Sequence, residues 1–141
     1  MQTAIRRAVV SLADIPAEPV PEMEGHHNGL IWWIFQPDGR GLQSLLTEGL
    51  RVHMQQHDVG GYIKGHGFHK GVEQVYYVLK GPMEVRMGDK TYTAEEGSYV
   101  YIPRGVDHDH RNIGQDKLVF LTINSPVRAG DVPPLPTVKE E

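Results

Sequence analysis

The sequence predicts an all-β domain, a barrel or sandwich with little helix. Three observations predict it. Short apolar or alternating segments recur along the chain. Sixteen glycines and ten prolines cut them apart. No stretch of ten residues or more repeats its apolar positions with a helical period.

The segments follow in order. Residues 5–12 form a candidate N-terminal strand, and residues 13–29, broken by Pro16, Pro19 and Pro21, form an arm or loop that carries His26 and His27. Residues 31–35 are a fully apolar strand, while residues 42–48, bracketed by Gly41 and Gly49, fit neither helix nor strand. Residues 50–55 alternate apolar and polar, the period of a half-buried strand. That alternation puts His53, with His57 beyond it, on the polar face, where both are expected in solvent along with His26 and His27. Residues 75–79 and 83–87 are two more strands, the second turning through Gly88-Asp89 into residues 90–93 as a hairpin. Residues 99–102 stop before Pro103, and residues 118–123 form the last strand. Pro126, Pro133, Pro134 and Pro136 then indicate an extended tail. The chain divides into an N-terminal strand and arm (1–29), a barrel (30–125) and a tail (126–141). Trp32, Trp33, Phe35, Tyr76 and Tyr101 are expected in the core, with Tyr76 best placed to line a cavity.

At 141 residues there is room for one domain. Fourteen basic against eighteen acidic side chains give a formal charge of −4, which argues against a nucleic-acid partner. There is no cysteine, so disulfides, thiolate nucleophiles and thiolate-bound metals are excluded. The longest apolar run, residues 30–35, is far short of the roughly 20 residues of a membrane helix. Arg6-Arg7 is followed by an apolar stretch that Ser11, Asp14 and Pro16 soon interrupt, so no export signal is read and a cytoplasmic address is expected. Nucleotide-binding glycine loops and a G-x-S-x-G nucleophile elbow do not occur.

Imidazoles gather in two stretches beside predicted strands. Residues 60–74 carry His66 and His69, and residues 103–112 carry His108 and His110. Neutral imidazole is the commonest protein ligand for transition metals, and oxygen from Gln or Glu can complete a mixed site.

Here the sequence resembles the cupin superfamily. Its second motif, G-x5-P-x-G-x2-H-x3-N, is met in full by Gly97, Pro103, Gly105, His108 and Asn112. Its first motif, G-x5-H-x-H-x3,4-E-x6-G, is met by Gly61, His69 and Gly81, but Gly67 stands for the first His and Gln74 for the Glu. The likeness spans residues 50–124 and implies a double-stranded β-helix, the jelly-roll barrel of the cupin type.

The resemblance implies one divalent transition metal (Fe, Mn, Ni or Zn) at the barrel floor, held by His66, His69, Gln74 and His108. Two positions stay open. His66 lies one residue early, where strict alternation points it away from His69; a bulge at Gly65 and Gly67 would swing it back, and a solvated loop histidine is the alternative. Glu73 satisfies the looser family spacing, whereas only Gln74 keeps six residues before Gly81 and is preferred. Tyr76 and His110 are the candidate catalytic residues, for proton transfer or orientation. The implied function is a metalloenzyme acting on a small bidentate oxygen substrate, most of all a dioxygenase. Alternatives are a polyketide cyclase or isomerase, or a non-catalytic binding module. No membrane partner is expected. A homodimer is expected, because residues 31–35 and 5–12 leave an edge to cover.

Overall fold

The computed structural model describes residues 9–22, 25–36, 45–47, 49–64 and 71–125. They are almost entirely strand: β1 (Glu18–Pro19), β2 (His26–Gln36), β3 (Leu45–Leu46), β4 (Arg51–Ile63), β5 (Glu73–Lys80), β6 (Met83–Met87), β7 (Lys90–Ala94), β8 (Tyr99–Ile102), β9 (His108–Asn112) and β10 (Leu118–Ser125). One turn of 3-10 helix, Leu12–Asp14, precedes them, capped by the Ser11 hydroxyl. The expected all-β jelly roll is what the chain forms.

Along the sheet the strands run β7-β6-β9-β4-β10-β5-β8, and β2 lies along the other edge of β4. Nearly all pairings are antiparallel, and the sheet curls into a nearly closed barrel. Strand β4 makes this possible. Its first half pairs with β10 and its last two residues, Tyr62 and Ile63, pair with β9. Between the halves lies Gly60, whose φ of +80° is one that glycine adopts without steric cost.

Paired residues in adjacent strands share a face, so the register lists what points inward. One interior row runs Arg51, Asn124, Gln74, Ile102, and the next runs Trp33, His53, Thr122, Tyr76, Val100. A third holds Ile31, Gln55, Phe120 and Val78. One end of the barrel is filled by an apolar plug that includes Val78, Met83, Val85, Leu118 and Phe120. The other end is polar. The outer face carries its own apolar row, Trp32, Met54, Leu121, Tyr77 and Tyr99.

Several expectations are corrected. His53 and His57 are buried, at 4% and 0% exposure, and His26 is buried too; only His27 is exposed. The polar face of β4 is the inner one, carrying the buried Arg51, His53, Gln55 and His57, while Met54 lies in the outer row between Trp32 and Leu121. Tyr101 is exposed instead of in the core, while Trp33 and Tyr76 are buried. Residues 9–12 are not strand, and residues 18–19 and 26–29 are. The rest of the candidate strand 5–12 and the tail 126–141 lie outside the described residues.

Asn112 pins β9 to β4. Its Nδ2 donates to the carbonyls of His57 (3.1 Å) and Asp116 (2.9 Å), and its Oδ1 accepts from the Gly114 N–H (2.8 Å). Asn112→Ala leaves those backbone groups unmet and should cost about 3 kcal/mol in urea unfolding. Asn112→Asp keeps the acceptor but faces two carbonyls with a carboxylate, and should be no better.

Candidate active site

Strand β9 begins after the turn at residues 103–106 and delivers His108 and His110 to the barrel interior, both buried. Arg86 on β6 steadies this strand. Its Nε donates to Asp109 (2.6 Å) and its Nη2 to Asp107 (3.1 Å), so the residues on either side of His108 are clamped outside. His108 Nδ1 lies 2.9 Å from the Val106 carbonyl. A carbonyl only accepts, so Nδ1 carries the proton and the lone pair is on Nε2. Burial pushes the pKa of this imidazole down, which keeps it neutral.

Strand β5 settles which of residues 73 and 74 faces inward. Gln74 is buried, and its Oε1 makes no hydrogen bond. Glu73 is on the outer face, where its carboxylate accepts from the Tyr101 hydroxyl (2.7 Å) and from Arg104 (3.0 Å). Those bonds hold the Glu73 carboxyl below its ordinary range. An imidazole lone pair on Nε2, held by a carbonyl behind it, and an unsatisfied amide oxygen are donors suited to a divalent cation. These two residues could hold one. His66 and His69, with the bulge expected at Gly65 and Gly67, lie outside the described residues. Among the described residues no three His, Asp or Glu side chains cluster as a metal site.

Tyr76 stands two residues from Gln74 on the same face, its ring 6.4 Å from that of His108 and 5.6 Å from that of His110. A chain of hydrogen bonds starts there. Tyr76 Oη lies 3.4 Å from His110 Nδ1, His110 Nε2 lies 3.1 Å from His57 Nε2, and His57 Nδ1 lies 3.1 Å from the Asn28 carbonyl. The last member fixes the direction of the rest. The carbonyl can only accept, so His57 carries its proton on Nδ1 and presents a lone pair at Nε2. His110 must then donate from Nε2, which leaves Nδ1 to accept from the Tyr76 phenol. Burial pushes the phenol's pKa up, so it stays protonated, and pushes that of His57 down, so it stays neutral.

Local sequence builds the anchor. The β2–β4 register shifts between His27, opposite Tyr62, and Gly29, opposite His57, so the extra residues of the bulge lie in β4 at 58–61, and Asn28 stands across from them with φ +52°. Its N–H donates to Glu22 (2.6 Å) while its carbonyl accepts from His57. Gly29 lies opposite His57, and a Cβ there would come within 2.9 Å of the ring. Sequence reading overlooked His57, since a histidine on the polar face of a strand looks solvated. The signal available was the Asn28-Gly29 pair inside a strand.

Nitrogen-15 NMR of the imidazoles should show His57 as the Nδ1–H tautomer and His110 as the Nε2–H tautomer; His57→Phe should leave His110 divided between both. Stability should also depend on pH through His57. Its folded pKa lies below the ordinary value of about 6.5, so the unfolded chain takes up a proton that the folded one refuses. Its contribution is whole above about pH 6.5 and shrinks as pH falls toward the depressed value. Urea midpoints at pH 7.5 and 5.5 should differ less for His57→Phe than for the wild type.

A family comparison matches residues 53–124 to the cupin domain. An uncharacterized protein of Streptomyces coelicolor is 31% identical over 91 residues, covering 63% of this chain and 83% of its own length. Among solved structures, the polyketide cyclase RemF from Streptomyces resistomycificus superposes with a TM-score of 0.71 at 22% identity, over 96% of this chain and 87% of that one. A predicted oxalate decarboxylase from Thermotoga maritima gives 0.67 at 19% identity, over 85% and 100%. The match over half the sequence, on a jelly-roll barrel with His108 and Asn112 in their motif places, makes this chain a member of the cupin family.

Proposed function

We propose that this cupin is an enzyme that moves protons on a small, oxygen-rich substrate held beside a divalent transition metal, as in cyclisation, isomerisation or elimination. The single observation that carries the reading is the buried chain from Tyr76 through His110 and His57 to the Asn28 carbonyl. His108 and Gln74, with His66 and His69 as the family resemblance implies, would hold the metal. When bound, it supplies Lewis acidity that polarises a substrate carbonyl and acidifies the neighbouring C–H or O–H. Gln74 is neutral, so the ion keeps more of its charge than it would beside a carboxylate.

The protein's own groups do the rest. Tyr76 accepts a substrate proton at its phenol oxygen as it passes its own to His110 Nδ1. His110 then bears a proton on both nitrogens, with His57 Nε2 still accepting one of them. Positive charge forms on a ring already bonded on both sides, away from water. General acid–base groups so placed contribute about 10²–10⁴-fold.

Dioxygenase chemistry, the first expectation from the resemblance, draws less support from these side chains. Non-haem iron oxygenases use two histidines and a carboxylate, and the β5 position that would supply it is Gln74, with Glu73 tied up outside. The same fold in a polyketide cyclase agrees with proton chemistry.

Protein loaded with Mn, Fe, Ni or Zn should accelerate deuterium uptake at the carbons next to carbonyl in pyruvate, 2-oxoglutarate or acetoacetate. Tyr76→Phe and His110→Asn should each lower it by about a hundredfold or more. Exchange equal in both variants and the wild type would sink the reading. Iron-dependent oxygen uptake indifferent to Tyr76→Phe would point to a dioxygenase, and stability untouched by any metal to a binding module. A homodimer belongs to the same reading, because the outer row Trp32, Leu121, Tyr77 and Tyr99 leaves apolar area to cover; light scattering should return about twice the 15.8 kDa chain mass.

A further inference from the structure

We propose that Glu22, an exposed carboxylate outside the barrel, is a positioning residue for the buried acid–base chain: it holds the Asn28 backbone so that its carbonyl meets His57. This rests on the reading above for what the chain does, and names the group that sets its order from the surface.

Glu22 bridges two consecutive residues of β2. Its Oε2 accepts from the Asn28 N–H at 2.6 Å, and its Oε1 lies 3.0 Å from His27 Nδ1. A carboxylate only accepts, so His27 carries a proton on Nδ1. The Asn28 N–H, and after it the His27 ring, hold the Glu22 carboxyl below its ordinary range. The loop that carries the bridge is closed at its ends and tied to β4. Val20 N–H donates to the Gly29 carbonyl (2.9 Å), and Lys64 N–H to that of Gly25 (2.7 Å).

What the bridge holds is a backbone that most residues resist. Asn28 has φ +52°, in the left-handed region that is sterically disfavoured for every residue but glycine, and least so for asparagine. Its N–H and its carbonyl belong to different peptide planes, joined only at Cα. In the left-handed region ψ is confined to a narrow range, so holding the first plane there settles where the carbonyl points. That oxygen has a tight seat: a Cβ on Gly61 would come within 2.9 Å of it. Burial pushes the pKa of His57 down, and the carbonyls of Asn28 and then His27 act against it, so both residues that Glu22 bridges bear on this ring. Without the carboxylate, residue 28 relaxes toward ordinary strand geometry, its carbonyl leaves Nδ1, and His57 loses the contact that fixes its proton.

The test is nitrogen-15 NMR of the imidazoles in wild type, Glu22→Ala and Glu22→Gln, at about pH 8, above the ordinary imidazole range. The Glu22 side chain is 60% exposed, so its removal leaves the core intact. In Glu22→Ala, His57 should pass from the Nδ1–H form to a mixture of tautomers, while amide resonances of the β6–β7 hairpin stay in place. Glu22→Gln should keep His57 as in the wild type, because its amide oxygen still accepts from the Asn28 N–H. Its NH2 group then faces His27 Nδ1 and turns that ring to the Nε2–H form. In metal-loaded protein, Glu22→Ala should lower kcat for proton exchange about two- to tenfold with KM little changed, as the ordered fraction of chains falls. His57 still wholly Nδ1–H in Glu22→Ala, or as mixed in Glu22→Gln as in Glu22→Ala, overturns the proposal. If Glu22→Ala does not fold, the wild type decides. Its Asn28 amide proton should lie at low field and exchange slowly with solvent, although the residue is exposed; rapid exchange overturns the proposal. A mixed His57 in Glu22→Ala, with exchange chemistry indifferent to Tyr76→Phe, upholds the positioning and defeats the acid–base reading instead.

Discussion

The hydrogen bond from His57 Nδ1 to the carbonyl of Asn28 orders the interior of this protein. Two imidazoles in contact can exchange donor and acceptor roles, and in water nothing would choose between them. Here the choice is made at one end, by a backbone oxygen that cannot donate. Each group inward then has a single role, as far as the phenol of Tyr76. Much of the local structure serves that bond. The left-handed backbone of Asn28, opposite the β4 bulge, aims the carbonyl, Gly29 leaves room for the ring, and Asn112 holds the backbone of residue 57 from the opposite strand.

Much of the fold was legible in the chain. Strands β6 and β8 coincide with the segments read from alternation and turn residues, because a glycine turn or a proline ends each one sharply. Strand β4 was read as stopping at residue 55 but continues to Ile63, through two glycines that usually end a strand and here bend one. The larger misreading concerned its faces. Alternation fixes that two faces differ, not which of them is inside. In a sheet packed on one side, the apolar face goes in and His53 and His57 would be wet. In a barrel that encloses a polar chamber, the outer face can be apolar too, and the assignment reverses.

The site was legible to a different degree. His108 and Asn112 stood out because five specified positions of one motif fall at fixed spacing. Asn112 is a structural bracket, with every polar atom of its amide engaged by backbone. Between Glu73 and Gln74 periodicity was silent, since both faces of β5 are largely apolar. What separates them is long-range: Tyr101 and Arg104, nearly thirty residues on, hold the glutamate outside. No local pattern reports a partner that distant. His57 and Arg51 were invisible for the same reason, as their meaning comes from strands β2, β9 and β10.

The division of the barrel into an apolar plug and a polar chamber sets how the molecule can be both stable and reactive. Unmet polar atoms in the chamber cost free energy, and the rows of Phe120, Val78, Met83 and Leu118 offset it by burying apolar area with no polar loss. Phe120 stands at the boundary, its ring 4.9 Å from His110, 5.1 Å from Tyr76 and 6.2 Å from His57. Its contact with all three rings keeps water from the hydrogen-bonded chain, and dryness is what gives that chain its direction and strength. A water molecule between Tyr76 and His110 could donate or accept at either, and the order imposed from Asn28 would be lost there. The apolar plug is thus part of the acid–base apparatus, because Phe120 packs against both imidazoles and the phenol that bond to one another.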